Sequence, residues 1–330
     1  VINSLNHPCG YPKQNMPTRF RSTFFGDLDV DVTFDAPVGK MTHFVIGGQA
    51  DALVRPRSAD ALSLLLRRCH DSQVPFRVLG NGANLLVDDI GIDGIVVKLD
   101  HDCFKQTRYH TTDQGEALHA MSGADMATTL METVRHGLDG LTAMTGIPAS
   151  IGGAVRMNAG GKYGCISDTL DTITCLSTTG ELITHTKQNI QFGYRESRIA
   201  EPIILSATFT LQHCDPIPIR DKVKEIFAWK KSCQPLADSS AGCAFKNPLL
   251  PDGTRMSAGK LIDNAGLKGL SVGGASISKQ HANFIVTNAN ATARNVIDLM
   301  QTVRERVKDK TQIHLQNEVV TWSRDPEVIR

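Results

Sequence analysis

Three side chains in this sequence pair a usable chemistry with a telling neighbourhood. Cys243 lies in Ser239-Ser-Ala-Gly-Cys-Ala-Phe-Lys-Asn-Pro248, where Lys246 and Asn247 follow closely, so a weakly acidic S–H is expected beside a cation and an amide. A free thiol titrates near about 8.5 and keeps most of its proton at neutral pH, so it can give a proton to a carbanion-like centre. Taken alone, an isolated cysteine is more often simple packing. Arg195, in Phe192-Gly-Tyr-Arg-Glu-Ser197, offers a guanidinium that can grip a carboxylate through two hydrogen bonds and stabilise growing negative charge. A surface ion pair with Glu196 or Glu201 is the competing assignment. Glu318 sits in the apolar segment His314–Trp322, and alternation leaves open whether it faces solvent or is buried with a raised pKa.

Two stretches crowded with small residues have to position whatever these groups act on. Gly146–Gly161, GIPASIGGAVRMNAGG, cannot be an ordinary helix or strand throughout. Gly152 and Gly153 permit φ > 0 and carry no Cβ, so main-chain N–H groups are expected to approach a phosphate or a planar ring closely. A tight inter-strand turn would use the same glycines. Upstream, Leu79-Gly-Asn-Gly-Ala-Asn-Leu-Leu-Val-Asp88 has the same character. It is not a dinucleotide fingerprint, because its glycines precede β-prone residues instead of opening a helix. Two such nests imply one long ligand with an extended diphosphate, and FAD is the natural candidate.

At 330 residues the chain can bury a substantial core and is expected to form two or three domains. Its 35 basic and 34 acidic residues nearly cancel, which leaves no global field for nucleic acid or an anionic membrane surface. No apolar run reaches the length of a membrane span and the first thirty residues lack the order of a secretory signal, so a cytoplasmic protein is expected. The cysteines form no CxxC pair and the histidines no HExxH pattern, which argues against a disulfide framework or a metal site.

Along the chain, residues 1–25 read as a loose tail. A first lobe, 26–100, runs strand, helix over Ala59–Ser72, strand, nest, strand, with Ser58 as the helix cap. A second, mainly β lobe, 101–215, contains a helix over Ala124–His136 and the clearest strand, Ile203–Leu211, which alternates apolar and hydroxyl side chains. Pro216–Pro218 reads as a linker to a compact α+β third domain, 216–330. There, helices are predicted over Ile219–Lys231, Ser257–Ala265 and Thr292–Lys308, and a final strand over His314–Trp322.

Taken in order, Thr42–Ala50, Gly80–Asp88, Gly146–Gly160, Phe192–Ser197, Ala241–Pro248, Ala258–Asp263 and Asn317–Val319 resemble the motifs of the UDP-N-acetylenolpyruvoylglucosamine reductase family, over roughly Val30 to Trp322. The resemblance implies an α+β fold class: a two-lobed FAD-binding fold of the vanillyl-alcohol oxidase type plus an α+β substrate-binding domain. It implies non-covalent FAD, NADPH as reductant and UDP-N-acetylglucosamine enolpyruvate as substrate, which is reduced to UDP-N-acetylmuramate for peptidoglycan synthesis. A monomer is expected, without metal, nucleic-acid partner or membrane insertion.

By the same resemblance the cofactor lies on Gly47 and Gly48, on Gly80, Asn81, Gly82, Ala83, Asn84 and Leu85, and on Gly146, Ile147, Pro148, Ser150, Ile151, Gly152, Gly153, Asn158, Ala159 and Gly160. Arg195 and Glu318 polarise the substrate carboxylate, and Cys243 stands where the family usually has a serine proton donor. Tyr194, Lys246 and Asn247 meet the sugar nucleotide, while the family's further lysine ligand matches Lys230, Lys231 or nothing, with Cys233 at its aligned position. Tyr194 is the last tyrosine, so the tyrosine-bearing insert of the longer subtype is missing and the shorter subtype is the better match. Two alternatives remain: another FAD oxidoreductase or oxidase of the same flavin fold, marked by reaction with oxygen, and a degenerate nucleotide-binding protein, marked by folding without flavin.

Overall fold

The computed structural model describes residues 23–113 and 115–328, so most of the expected tail lies outside the described residues. The first lobe comprises strands β1 (Val30–Ala36) and β2 (Ala50–Pro56), helix α1 (Ala59–Asp71), and strands β3 (Phe76–Val78), β4 (Leu85–Val87) and β5 (Ile92–Val97). Its sheet runs β1-β2-β5-β3, antiparallel at β1–β2 and parallel at the other two seams. Helix α1 starts where Ser58 Oγ accepts the Ala61 N–H, and its i, i+3, i+4 spacing turns Leu62, Leu65, Leu66 and Cys69 onto the sheet. Each leucine so buried contributes about 1.5–3 kcal/mol. The tail ends earlier than expected: Phe24 and Phe25 are buried in this same core, and Asp27 holds Arg68 of α1 at 2.6 Å.

The second lobe follows as strands β6 (Thr107–Thr112) and β7 (Gly115–Met121), helix α2 (Met126–Arg135), strand β8 (Leu138–Asp139), helix α3 (Ile151–Arg156), the hairpin β9 (Gly160–Gly161) and β10 (Gly164–Cys165), strands β11 (Leu170–Leu176) and β12 (Leu182–Thr186), the hairpin β13 (Phe192–Gly193) and β14 (Glu196–Ser197), and β15 (Ile203–His213). Its sheet has the order β12-β11-β15-β7-β6, with β8 also on β15. The two-residue period of β15 shows in burial from Ala207 to Leu211, where Ala207, Phe209 and Leu211 are buried and Thr208 and Thr210 partly exposed; before that the strand is buried on both faces, Ile204 and Ser206 included.

In the third lobe, helix α4 (Pro216–Cys233) begins at the prolines read above as a linker. Asp215 caps it by accepting the Ile217 N–H, and proline is tolerated in a first turn because those N–H groups have no intrahelical partner. Helix α5 (Ala258–Asn264), strands β16 (Ser271–Val272), β17 (Ala275–Ile277) and β18 (Ile285–Thr287), and helix α6 (Ala293–Thr311) enclose a core that also takes in Phe44 and Ile46 of the first lobe. The final strand, β19 (Val320–Trp322), is much shorter than predicted and returns to the first lobe, where it pairs parallel with β4. The lobes are thereby stitched at both ends of the third. Among the described residues no helix is long and apolar enough to cross a membrane, and every described cysteine is a free thiol.

Candidate active site

Arg195 occupies the turn of the β13–β14 hairpin in a left-handed conformation, φ 61°, which a side chain with a Cβ adopts only when its surroundings hold it there. The holding groups are visible. Asn158 Nδ2 donates to the Gly193 carbonyl at 2.9 Å, and Arg195 itself donates through Nη1 to the Gly160 carbonyl at 2.5 Å. Its Nε lies 2.7 Å from Glu318 Oε1, with the two side chains only 20% and 11% exposed. The surface pairings considered from spacing do not form: Glu196 meets Arg198, and Glu201 binds His185 at 2.9 Å.

Glu318 is fixed from both sides. Its N–H donates to the Ala244 carbonyl at 2.8 Å, and its own carbonyl accepts from Asn84 Nδ2 at 3.0 Å. Burial pushes its carboxyl above the ordinary range, opposed by Arg195 and by the field of Lys246. Asn84 therefore ties the first glycine-rich segment to the acid.

Cys243 is brought to the same place by a bridge to Phe284 and by Asn283. The Asn283 carbonyl accepts the Ala244 N–H at 2.7 Å, while its side chain accepts from Phe245 N–H at 3.0 Å and donates to the Phe245 carbonyl at 2.8 Å. Burial first, and then the charge of Glu318, push the thiol up to about 12, against the opposing pull of Arg195, Asn283 and Lys230. The thiol thus keeps its proton, which suits a donor better than a nucleophile.

Arg195 and Lys230 are the cations that act most on that thiol. Lys246, the cation expected beside it, acts on Glu318. Asn247 Oδ1 accepts the Ala258 N–H at the start of α5, and its carbonyl accepts from Arg255, so part of its polar capacity is structural. Tyr194 is hydrogen-bonded by the Asn247 main chain, and Arg255 Cζ lies 4.1 Å from the centre of its ring.

Lys230 is the residue that spacing alone undervalued. Its Nζ donates to the Thr145 carbonyl at 2.6 Å, beside the glycine-rich segment, and burial with the charge of Arg195 brings its pKa down to about 8. The signal was a lysine four residues beyond Ile226, on the buried stripe of α4.

The two glycine-rich segments do meet: a Cβ on Gly80 would lie 2.7 Å from Ser150 Oγ and 4.0 Å from the Gly153 Cα. They are not alike. Gly152 and Gly153 belong to helix α3 and do not have positive φ, which corrects the reading of a second nest. Their N–H groups are spent on the Ser122 carbonyl at 2.9 Å and on Ser150 Oγ at 3.3 Å. At Gly152 the missing Cβ serves packing, since one would stand 2.7 Å from the Ser122 Cβ. By contrast, among the described residues no intramolecular hydrogen bond is formed by the N–H groups of Gly80 to Asn84. Gly82 there adopts φ 68°, and Lys98 Nζ donates to the Gly80 carbonyl at 3.1 Å.

A run of unspent donors backed by an ammonium fits a diphosphate. Ser122 Oγ and Asn158 Oδ1 are buried polar atoms without partners and offer further contacts for a bound group. Gly47 and Gly48 pack their main chain against Val87 and Asp89. Gly146 lies under Lys230 and Phe227 of α4. Leu85, Ile151 and Ala159 are buried in apolar cores, Ile147 is partly buried, and Asn81, Ala83 and Pro148 are open to solvent to differing degrees.

Residues 50–186 match the family model described as FAD binding domain, and residues 234–322 match that of the C-terminal domain of UDP-N-acetylenolpyruvoylglucosamine reductase. The reductase of that name from Listeria welshimeri is 39% identical over 292 residues, covering 88% of this chain and 95% of the relative. That of Clostridium perfringens is 35% identical over 89% of this chain and 94% of its own length. The crystal structure of UDP-N-acetylenolpyruvylglucosamine reductase (MurB) from Thermus caldophilus superposes with a TM-score of 0.72 at 34% identity, covering 89% of this chain and 98% of that one. On likeness of this extent the chain belongs to the UDP-N-acetylenolpyruvoylglucosamine reductase family.

Proposed function

We propose that this protein reduces the enolpyruvyl group of UDP-N-acetylglucosamine enolpyruvate to the lactyl ether of UDP-N-acetylmuramate, with NADPH as the electron source. FAD, when bound along Gly80 to Asn84, would supply the hydride, with NADPH as its source. The observation that carries the reading is the convergence of Arg195 from the second lobe with Glu318 and a protonated Cys243 from the third. Addition of hydride to the methylene end leaves negative charge spread over the neighbouring carbon and the carboxylate. Arg195 meets that charge with its guanidinium, which Glu318 and the Gly160 carbonyl hold in one orientation. Cys243 then gives its proton to the carbanionic carbon, and its Sγ is re-protonated from solvent after turnover.

Gly80 to Asn84, with Lys98 behind them, are assigned to the cofactor diphosphate. Gly47, Gly48, Gly146 and the α3 segment shape the walls around it, and Asn158 and Gly160 serve mainly to hold the Arg195 hairpin. Tyr194, Lys246 and Asn247 flank the sugar-nucleotide side. All three reacting groups come from one chain, which supports a monomer as the working unit. NADPH and a charged sugar nucleotide are both confined to the cytoplasm, where we place the enzyme.

Separated half-reactions test the assignment. Cys243→Ala should leave NADPH-dependent flavin bleaching intact and block product formation, whereas Cys243→Ser should retain substantial turnover. Equal loss in both half-reactions of the alanine variant would remove Cys243 from the donor role.

A further inference from the structure

At the rim of the site the protein keeps an indole ring in water. Trp229 of α4 is 39% exposed and its neighbour Phe227 is 49% exposed, although aromatic side chains of this size are ordinarily covered. The β9–β10 turn comes up against the indole. Tyr163 meets it edge-on, centroids 5.8 Å apart at 80°, and Lys162 Nζ lies 5.2 Å from the Trp229 ring centre and 5.4 Å from that of Tyr163. Exposed aromatic surface flanked by a cation has the make-up of a site for a planar, electron-poor ring attached to an anionic group.

Both elements of this cluster also reach the reaction centre. Helix α4 carries Lys230, next to Trp229, whose field acts on Cys243. Strand β9 carries Gly160, whose carbonyl holds the Arg195 guanidinium two residues before Lys162. A substrate whose enolpyruvyl end lies between Arg195 and Cys243 can run its other end outward, past Lys230 and over this rim.

We propose that Trp229, braced by Tyr163, is a stacking platform for the pyrimidine base of the sugar nucleotide, with Lys162 beside the adjoining diphosphate. The proposal rests on the substrate reading above. Base-on-aromatic stacking is strong enough for its removal to weaken binding roughly tenfold or more.

Trp322 is the chain's other tryptophan, so Trp322→Phe leaves Trp229 as its only indole. UDP titrated into the FAD-loaded Trp322→Phe protein should change Trp229 emission saturably, with the midpoint found by calorimetry. In the otherwise unaltered protein, Trp229→Ala should raise the KM for the sugar nucleotide roughly tenfold or more while the KM for NADPH stays put, and Trp229→Phe should restore most of the affinity. UDP binding seen by calorimetry with Trp229 emission unmoved would overturn the platform. So would a Trp229→Ala protein whose raised KM is the one for NADPH. Failure of UDP to bind the unaltered protein at all would overturn the substrate reading together with it.

Discussion

Arg195, at the tip of a second-lobe hairpin, and Glu318, in the segment that leads the third lobe back to the first, meet Nε to Oε1 at 2.7 Å. The contact closes the chain's three lobes around one point, because Asn84 of the first lobe holds the Glu318 carbonyl. An arginine in a strained φ is a poor surface residue and a well-oriented electrostatic one.

Removing that charge should damage one half of the cycle selectively. Arg195→Ala is expected to slow flavin reoxidation by the sugar nucleotide by about 10²–10³-fold, the range for loss of one preorganised charge-stabilising donor. Glu318→Gln should do less, since the guanidinium remains but loses its ionic brace. Stopped-flow traces of the two half-reactions check this, and an equal slowing of reduction by NADPH would contradict it.

The glycines of α3 and of the first segment should part company. Gly152→Ala pushes a Cβ to 2.7 Å from the Ser122 Cβ and is expected to lower the melting temperature with or without flavin. Gly153→Ala meets only Ser150 Oγ, at 3.2 Å, and gains helix propensity, so the flavin-free protein should fold at least as well. Gly82→Ala, at φ 68° and 2.8 Å from the Met41 carbonyl, should release FAD on gel filtration. Full flavin retention by Gly82→Ala would remove that segment from the cofactor site.

Lys230 supplies a pH signature. Its ammonium titrates near 8 in the folded protein, lowered by burial and by Arg195, against its ordinary 10.5. Between those values the unfolded chain binds more protons, so this group's contribution to stability grows as pH rises through the window and is lost as pH falls through 8. The active-site charge runs the other way, and KM for the anionic sugar nucleotide should climb above pH 8. Lys230→Arg, which stays charged, should flatten that limb. Persistence of the limb in Lys230→Arg would assign it elsewhere. Cys243, at about 12, should add no loss of donor below pH 9.

Phe24 offers a test of where the folded chain begins. It is buried against the α1 core, so Phe24→Ala should cost about 3–5 kcal/mol, measured by urea unfolding. A cost below 1 kcal/mol would return Phe24 to the tail.

The sequence was informative where a local rule and the tertiary need coincide. The alternation of β15 from Ala207 to Leu211, the Ser58 cap of α1 and the amphipathic stripe of α6 are local signals, and the structure follows them. It was misleading where one residue type serves two purposes. Glycines in Gly152-Gly153 signify close helix packing and not positive φ, and the prolines at 216 and 218 start a helix instead of breaking the chain. Non-local partners left no trace in spacing: Lys230 with Thr145, Asn283 with Phe245 and β19 with β4 are joined only by the fold. Glu318 was undecidable from alternation because its segment is mostly irregular, with a strand only from Val320.

The most direct test of the central claim is the visible spectrum of the purified protein under anaerobic conditions, with NADPH added first and UDP-N-acetylglucosamine enolpyruvate second. The account predicts a yellow protein that bleaches with NADPH and regains its colour only with the enolpyruvyl nucleotide. A colourless protein that takes up no FAD, or a flavin that is reoxidised by air and not by the nucleotide, would contradict it.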